Sequence, residues 1–170
     1  MAYSFDGIDW EMSTMPGNES WASVAYGNGR FVAVAFNSMA AACSDDGINW
    51  LPSTLPISAH WESVKYENGY FIATASNSDD IAYSTDGTDW RITTLPFSSN
   101  WDSIAYGNGI FVIVGVPSDA LWSYNLIDWE MMPMPNNANN AIIYANNTFV
   151  AVANGDRAVY WIPFTGLAFA

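Results

Sequence analysis

Positive charge is scarce in this 170-residue sequence. Arg30, Lys65, Arg91 and Arg157 are its only basic residues besides a single histidine, against 17 Asp and Glu, for a formal net charge of −13. Nucleic-acid binding rests on clustered Lys and Arg, so the composition argues against it and equally against docking on an anionic membrane. The bland role of the acidity is to keep an aromatic-rich surface soluble. One histidine, His60, rules out His-rich metal sites and argues against a Ser-His-Asp triad. One cysteine, Cys43 in "AAACS", provides no disulfide within the chain and no thiolate cluster, and its apolar context suits a small buried side chain. Apolar runs of the roughly 18 residues that span a membrane are absent. The opening "MAYSFDG" lacks the charged and apolar regions of a signal peptide, so synthesis in a cytoplasm is expected. No stretch combines helical period with caps.

What is abundant is repetition. Apolar residues make up 51% of the chain and aromatics 16%, enough material for a sizeable core. Trp10, Trp50, Trp90 and Trp129 recur at spacings of 40, 40 and 39 residues. Trp21, Trp61 and Trp101 keep the same rhythm, as do Tyr26, Tyr66, Tyr106 and Tyr144, and Phe31, Phe71, Phe111 and Phe149. Each period divides into four short segments of β character. Trp21 to Tyr26 ends at Gly27-Asn28-Gly29, a hairpin signal that needs positive φ. Phe31 to Phe36 is apolar on both faces, as in a strand covered on both sides. A loop at Asn37-Ser38 leads to Ala41–Ser44, and Asp46-Gly47 turns the chain into a fourth segment from Trp50. Pro16, Pro56, Pro96 and Pro135 end the fourth segments.

A period near 40 residues built of four antiparallel strands is the signature of a β-propeller blade. The expected fold is all-β, a single propeller domain over residues 1–170 of about four blades, each a four-stranded antiparallel meander. The repeats run at about 21–60, 61–100, 101–139 and 140–170, the last completed by 1–20. The chain begins in mid-blade, so the strand Ile8 to Met15 is expected to pair onto the last blade and close the ring. An open arc completed by other copies is the alternative, which makes homo-oligomers possible partners.

The turns carry a resemblance. "SFDGIDW" (Ser4, Asp6, Gly7, Trp10), "SDDGINW" (Ser44, Asp46, Gly47, Trp50) and "STDGTDW" (Ser84, Asp86, Gly87, Trp90) resemble the Asp-box, or BNR, turn of sialidase-like propellers, one residue shorter between Asp and Gly. The copy "SYNLIDW", ending at Trp129, has Asn125-Leu126 in place of Asp-Gly, and "FTGLAF" (Phe164–Phe169) is a faded fifth. Together with "AYGNGxFVAV", the pattern resembles repeats of bacteriophage tail-fibre and other virion proteins, and of some bacterial surface proteins, for which an extracellular or cell-surface location is the alternative. That resemblance covers nearly the whole chain and implies a virion location. It also implies a structural component such as a tail fibre, head fibre or decoration protein, with other virion proteins or host-surface glycans as partners. It implies that the box residues, Trp129 among them, are architectural.

Strand parity places the Asn-Gly and Asp-Gly turns on one face of the ring. The other face gathers the variable connections Asn37–Ala40, Asn77–Asp80, Pro117–Ala120 and Asn154–Arg157, with the links Pro16–Ser20, Pro56–His60, Pro96–Asn100 and Pro135–Asn140. Variable loops on a rigid frame are where recognition is expected. Trp21, Trp61 and Trp101 border that face as candidate stacking platforms for sugar, with Asp79, Asp80, Asp119 and Asn137 as polar neighbours. The competing role of these Trp residues is packing between blades.

No enzyme is expected. A sialidase needs three arginines around its substrate's carboxylate, and parity puts Arg30 and Arg157 on opposite faces. A glycoside hydrolase needs two carboxylates at a set separation, and the acids that recur in register, such as Asp9, Asp89 and Asp128, look structural. Neither metal nor cofactor is expected: "NSDD" (Asn77–Asp80) lacks a full loop of calcium ligands.

Overall fold

The computed structural model describes residues 1–116, 119–132, 141–152 and 158–161, and every regular element among them is a strand. The chain opens with a small hairpin, β1 (Ala2–Tyr3) and β2 (Glu11–Met12). β3 (Trp21–Gly27), β4 (Arg30–Ser44), β5 (Leu51–Glu67), β6 (Tyr70–Ser76), β7 (Ser78–Ser84) and β8 (Arg91–Gly107) follow. β9 (Ile110–Val116), β10 (Asp119–Ser123) and β11 (Glu130–Met131) complete a nine-stranded ladder in the order β11-β10-β9-β8-β7-β6-β5-β4-β3. A last sheet holds β12 (Ala141–Ala145), β13 (Thr148–Val152) and β14 (Ala158–Trp161).

Local chemistry sets the reversals. Asn28, Asn68 and Asn108 adopt φ of 49°, 48° and 50°, each followed by a glycine at positive φ, the conformation a two-residue hairpin demands. Asn37 and Asn77, at φ 53° and 51°, turn the chain again between the second and third segments. The expected link Pro56–His60 is not a separate loop. β5 pairs through its first residues with β4 (Ala40↔Thr54 to Cys43↔Leu51) and through its last with β6 (Trp61↔Ala75 to Glu67↔Tyr70), so the fourth strand of one unit runs on into the first strand of the next. β8 does the same between β7 and β9. An extended linker keeps its backbone groups paired, as Phe36↔His60 shows, where a loop would leave them to water.

The core is segmented by unit. One cluster packs Val32, Val34, Leu55, Trp61, Val64 and Phe71, and the next Ile72, Ile81, Leu95, Trp101, Ile104 and Phe111. Thr74 is a misfit. It occupies the position that Val34 and Val114 fill in neighbouring units, is fully buried, and its hydroxyl has no partner. A buried hydroxyl without a hydrogen bond costs about 1–3 kcal/mol, and valine has nearly its shape. Thr74→Val is therefore expected to raise the denaturant midpoint at constant m-value, and a lowered midpoint would refute the assignment.

The expected closure by residues 8–15 is not made. β2 pairs with β1 (Ala2↔Met12, Tyr3↔Glu11), and β12–β13–β14 form a sheet of their own. The edge of β13 that an incoming strand would use is paired with β14, from Phe149↔Trp161 to Val152↔Ala158.

Candidate interaction surfaces

One face is built of turns. In each Ser-x-Asp-Gly copy the Ser hydroxyl accepts the Gly amide, at 2.9 Å for Gly7, Gly47 and Gly87. The Asp Oδ1 accepts two amides further on: Ile8 and Asp9 onto Asp6, Ile48 and Asn49 onto Asp46, Thr88 and Asp89 onto Asp86. The Trp indoles of Trp10, Trp50 and Trp90 donate to the carbonyls of Gly7, Gly47 and Gly87. The fourth copy keeps the plan with Asn125, whose Oδ1 accepts from Ile127 and Asp128 at 2.9 Å. Leu126 takes the glycine's place at φ 65°, its strain offset by a fully buried side chain, and the Trp129 indole is left unpaired. A cleft of about 250 Å³ is lined by Asn28, Arg30, Asp45, Phe71, Thr85 and Asp86, which places both turn types on one face, as parity predicts. Arg30 is committed there, to Asp45 at 2.8 Å and to the Asp86 carbonyl at 3.1 Å.

Backbone amide and side chain of Asn49, then the Ile48 amide, hold the Asp46 carboxyl well below the usual carboxylate range, and the Asp89 and Thr88 amides do the same for Asp86. A depressed folded pKa adds stability that is present above the unfolded value near ~4 and is lost as pH falls below it. Asn125 shows that an amide oxygen serves the same bonds. The double variant Asp46→Asn, Asp86→Asn is expected to fold normally and to lose less melting temperature than the parent between pH 4 and 2. Equal losses would show that these carboxylates do not drive acid unfolding.

On the opposite face the candidates separate. Trp61 and Trp101 are wholly buried, their indoles donating to the carbonyls of Ile57 (3.4 Å) and Ser78 (3.0 Å). A ring with no exposed surface cannot stack on a sugar, so these two are packing residues, sealed in by the continuous strands β5 and β8. Trp21 is half-buried, its indole nitrogen enclosed and unpaired. Asp79 is exposed; Asp80 is half-buried and accepts from Thr94 at 3.0 Å. Asp119 pairs with Gly115 through its backbone, and Asn137 and Arg157 lie outside the described residues. The exposed aromatic feature here is one that sequence reasoning missed: Phe36 stacked on His60, centroids 4.8 Å apart at 28°.

A third surface emerges from the seams between units. A Cβ built on Gly27 would fall inside the Tyr66 ring, and one on Gly107 inside the Tyr144 ring, so Tyr66 sits on the residue after Tyr26 and Tyr144 on the residue after Tyr106. Ser23 Oγ accepts the Val64 amide and Ser103 Oγ the Ile142 amide, both at 3.1 Å. Ser13, Ser53 and Thr93 donate to the carbonyls of Ile48, Gly87 and Ile127 at the outer edge. Lys65 reaches furthest, donating to Ser103 Oγ at 2.9 Å and to the Ile142 carbonyl at 3.2 Å, one and two units on. Its burial lowers its proton affinity, and burial raises the pKa of Glu67 beside it. At the first unit the seam has one side. Val24 is 50% exposed where Val64 is 3%, and Tyr26 is 58% exposed. In the hairpin before it, Trp10 is 63% exposed where Trp50 is 8%, and Phe5, Ile8 and Met12 are more open still.

No protein-family model and no curated protein matches the chain. Solved structures do. The computationally designed Ika4 protein shares 13% identity at TM-score 0.66, over 89% of this chain and 97% of that one. Virginiamycin B lyase from Staphylococcus aureus shares 16% at 0.73, over 96% of this chain, and YCF48 bound to D1 peptide 14% at 0.67, over 92%. The chain spans 62% and 54% of those two proteins. Identities this low speak for the fold alone, which is all-β and of the β-propeller kind.

Proposed function

We propose that the chain is a non-catalytic β-propeller interaction module, a structural component of a bacteriophage virion (tail fibre, head fibre or decoration protein) that makes protein–protein or host-surface contacts. The observation that carries the interaction reading is the apolar surface of the first hairpin: Phe5, Ile8, Trp10 and Met12 are all exposed within eight residues. Single exposed apolar residues are ordinary, but four on one hairpin are the mark of a contact surface. Two of the four basic residues are engaged within the fold, Arg30 by Asp45 and Lys65 by Ser103 and the Ile142 carbonyl. The virion assignment draws on the resemblance of the repeats. Four blades in one ring is the reading favoured by Lys65, because a side chain that touches the inner strand two units on requires a tight ring.

The test is to purify, on a density gradient, the virus particles made by cells that carry this coding sequence and to quantify the chain by mass spectrometry. A fixed stoichiometry per particle is expected, and its absence from particles would overturn the virion assignment. The exposed Phe36–His60 pair favours a second reading, glycan binding on the variable face. Reproducible binding on a glycan array, lost in Phe36→Ala with the fold intact, would establish that reading in place of the first.

A further inference from the structure

Two of the four serine turns carry the same surface. The first, "SFDGIDWEM" (residues 4–12), and the fourth, "SYNLIDWEM" (residues 123–131), share Ile-Asp-Trp-Glu-Met, where the middle copies read Ile-Asn-Trp-Leu-Pro and Thr-Asp-Trp-Arg-Ile. Strand register makes these positions equivalent: Tyr3↔Glu11 in the first, Trp122↔Glu130 in the fourth, Cys43↔Leu51 and Tyr83↔Arg91 between them. All four copies close the turn through the serine hydroxyl, so the fold does not require the extra likeness of the outer two. That likeness lies in side chains that face solvent. Tyr3 and Phe5 meet edge to face, centroids 5.8 Å apart at 80°, and Trp122 and Tyr124 do the same at 5.0 Å and 88°. Phe5, Ile8, Tyr124 and Ile127 are each more than half exposed, with Asp9, Glu11, Asp128 and Glu130 exposed beside them. Met12 and Met131 follow the glutamates and alternate to the other side of their strands. The exposure belongs to the position itself. In the fourth copy β10 is paired on both sides, with β9 and β11, and its tyrosine and isoleucine still stay open.

The middle copies show what such a turn holds. Asp45 occupies the place of Phe5 and Tyr124, and it binds the Arg30 guanidinium, the one ion pair among the described residues. The second copy has a dimple of about 230 Å³ between Cys43, Asp46 and Leu51, and Arg30 lines it. The same positions in the first copy, Tyr3, Asp6 and Glu11, form a dimple of about 110 Å³ together with Ser4, Phe5 and Asp9, and no basic residue lines it. In the third copy Arg91 stands where the outer copies have Glu11 and Glu130. Each middle copy thus carries an arginine of its own. The outer copies have only rings and carboxylates in those places, and neither residues 1–29 nor residues 92–156 contain any Lys or Arg.

We infer that the first and fourth turns are twin docking sites for arginine- or lysine-bearing segments of a basic partner protein. Each seats one cationic side chain against an aromatic face, flanked by an Asp and a Glu. The face of a Tyr, Phe or Trp ring attracts a cation through its quadrupole, and the neighbouring isoleucine covers the apolar stem of the incoming side chain. The carboxylates supply the countercharge that Asp45 supplies to Arg30 within the chain. A second copy of this chain does not fit the role, because it would bring a formal net charge of −13 to a surface that is already acidic. The inference rests on the interaction reading proposed above and names the chemistry of its partner.

The probe is a fluorescein-labelled peptide of alternating Arg and Leu, titrated with the full chain at about 150 mM salt, where exposed charges more than roughly 8 Å apart are largely screened. Calorimetry is expected to count two peptides per chain. Phe5→Ala with Tyr124→Ala should weaken binding by roughly 3- to 30-fold at unchanged melting temperature. Asp89→Asn, which removes a carboxylate from the third turn, should leave the affinity unaltered. Equal weakening by Asp89→Asn would mean diffuse attraction to an acidic surface and would overturn the sites. Equally tight binding of a Gln and Leu peptide would overturn the basic partner. A gain-of-function variant guards against a ring substitution that disturbs the fold: Thr85→Tyr, Thr88→Ile and Arg91→Glu together copy the fourth surface onto the third turn. A third bound peptide is expected, and a count that stays at two would overturn the assignment to these side chains. Fixed incorporation into particles without any peptide binding would overturn this inference and leave the interaction reading standing. Peptide binding by a chain absent from particles would support the sites and overturn only the virion assignment.

Discussion

Trp61→Ala is expected to lower the stability of the fold by about 3–5 kcal/mol, the cost of deleting a large aromatic from a packed core. Trp61 has no exposed surface and stands among Val32, Val34, Leu55, Val64 and Phe71, side chains from three strands of two successive units. Removing the indole leaves a cavity that the continuous strand β5, paired on both sides, cannot collapse to fill. For a chain of this length the loss corresponds to a fall in melting temperature of roughly 6–20 °C. Chemical unfolding should show a lower midpoint with an unchanged slope. The variant is consequently a poor probe of sugar binding, because any loss of binding would accompany loss of the fold. A Trp61→Ala protein that unfolds at the parent midpoint would show that the indole is not a core residue.

Gly27→Ala is the smaller change in atoms and carries the second-largest expected effect. The φ of Gly27 lies outside the left-handed region, unlike that of Gly29 at 78°, so an alanine meets no backbone strain there. What it meets is the Tyr66 ring, in the place its Cβ must occupy. Overpacking of this kind costs about 1–3 kcal/mol when neighbours can shift, and more when they cannot. Tyr66 is held by its contact with Phe71, centroids 4.8 Å apart. The diagnostic measurement is a double-mutant cycle. Tyr66→Ala removes the obstacle, so the double variant should be less destabilised than the two single changes added together. Strict additivity would mean that the seam is not built on this contact. Gly107 and Tyr144 offer the same experiment one seam further on.

The repeat, the strand character and the common face of the turns were legible in the sequence because each has a local chemical cause. Asn-Gly and Asp-Gly need positive φ, and alternation needs a sheet. The burial of Trp61 and Trp101 was not legible. An aromatic at the start of an inner strand can point to the rim or between units, and the choice depends on the preceding link being strand, which its Pro56 and Ser58 disguise. The Tyr-Gly seam left a signal, the residue after each tyrosine being Gly27, Glu67, Gly107 and Ala145, but its meaning requires knowing that neighbouring units touch there.

Along the nine-stranded ladder each strand pairs with the ones just before and after it in sequence. The hairpin pairings, such as Tyr26↔Phe31 and Tyr66↔Phe71, join residues close along the chain and spend little loop entropy, whereas the seams, such as Ser23 to Val64, join residues a whole unit apart. Each hairpin can form as it leaves the ribosome, and the next can zip onto it without waiting for the far end. A hairpin can thus form as soon as it is made, while each seam must wait for the unit that follows.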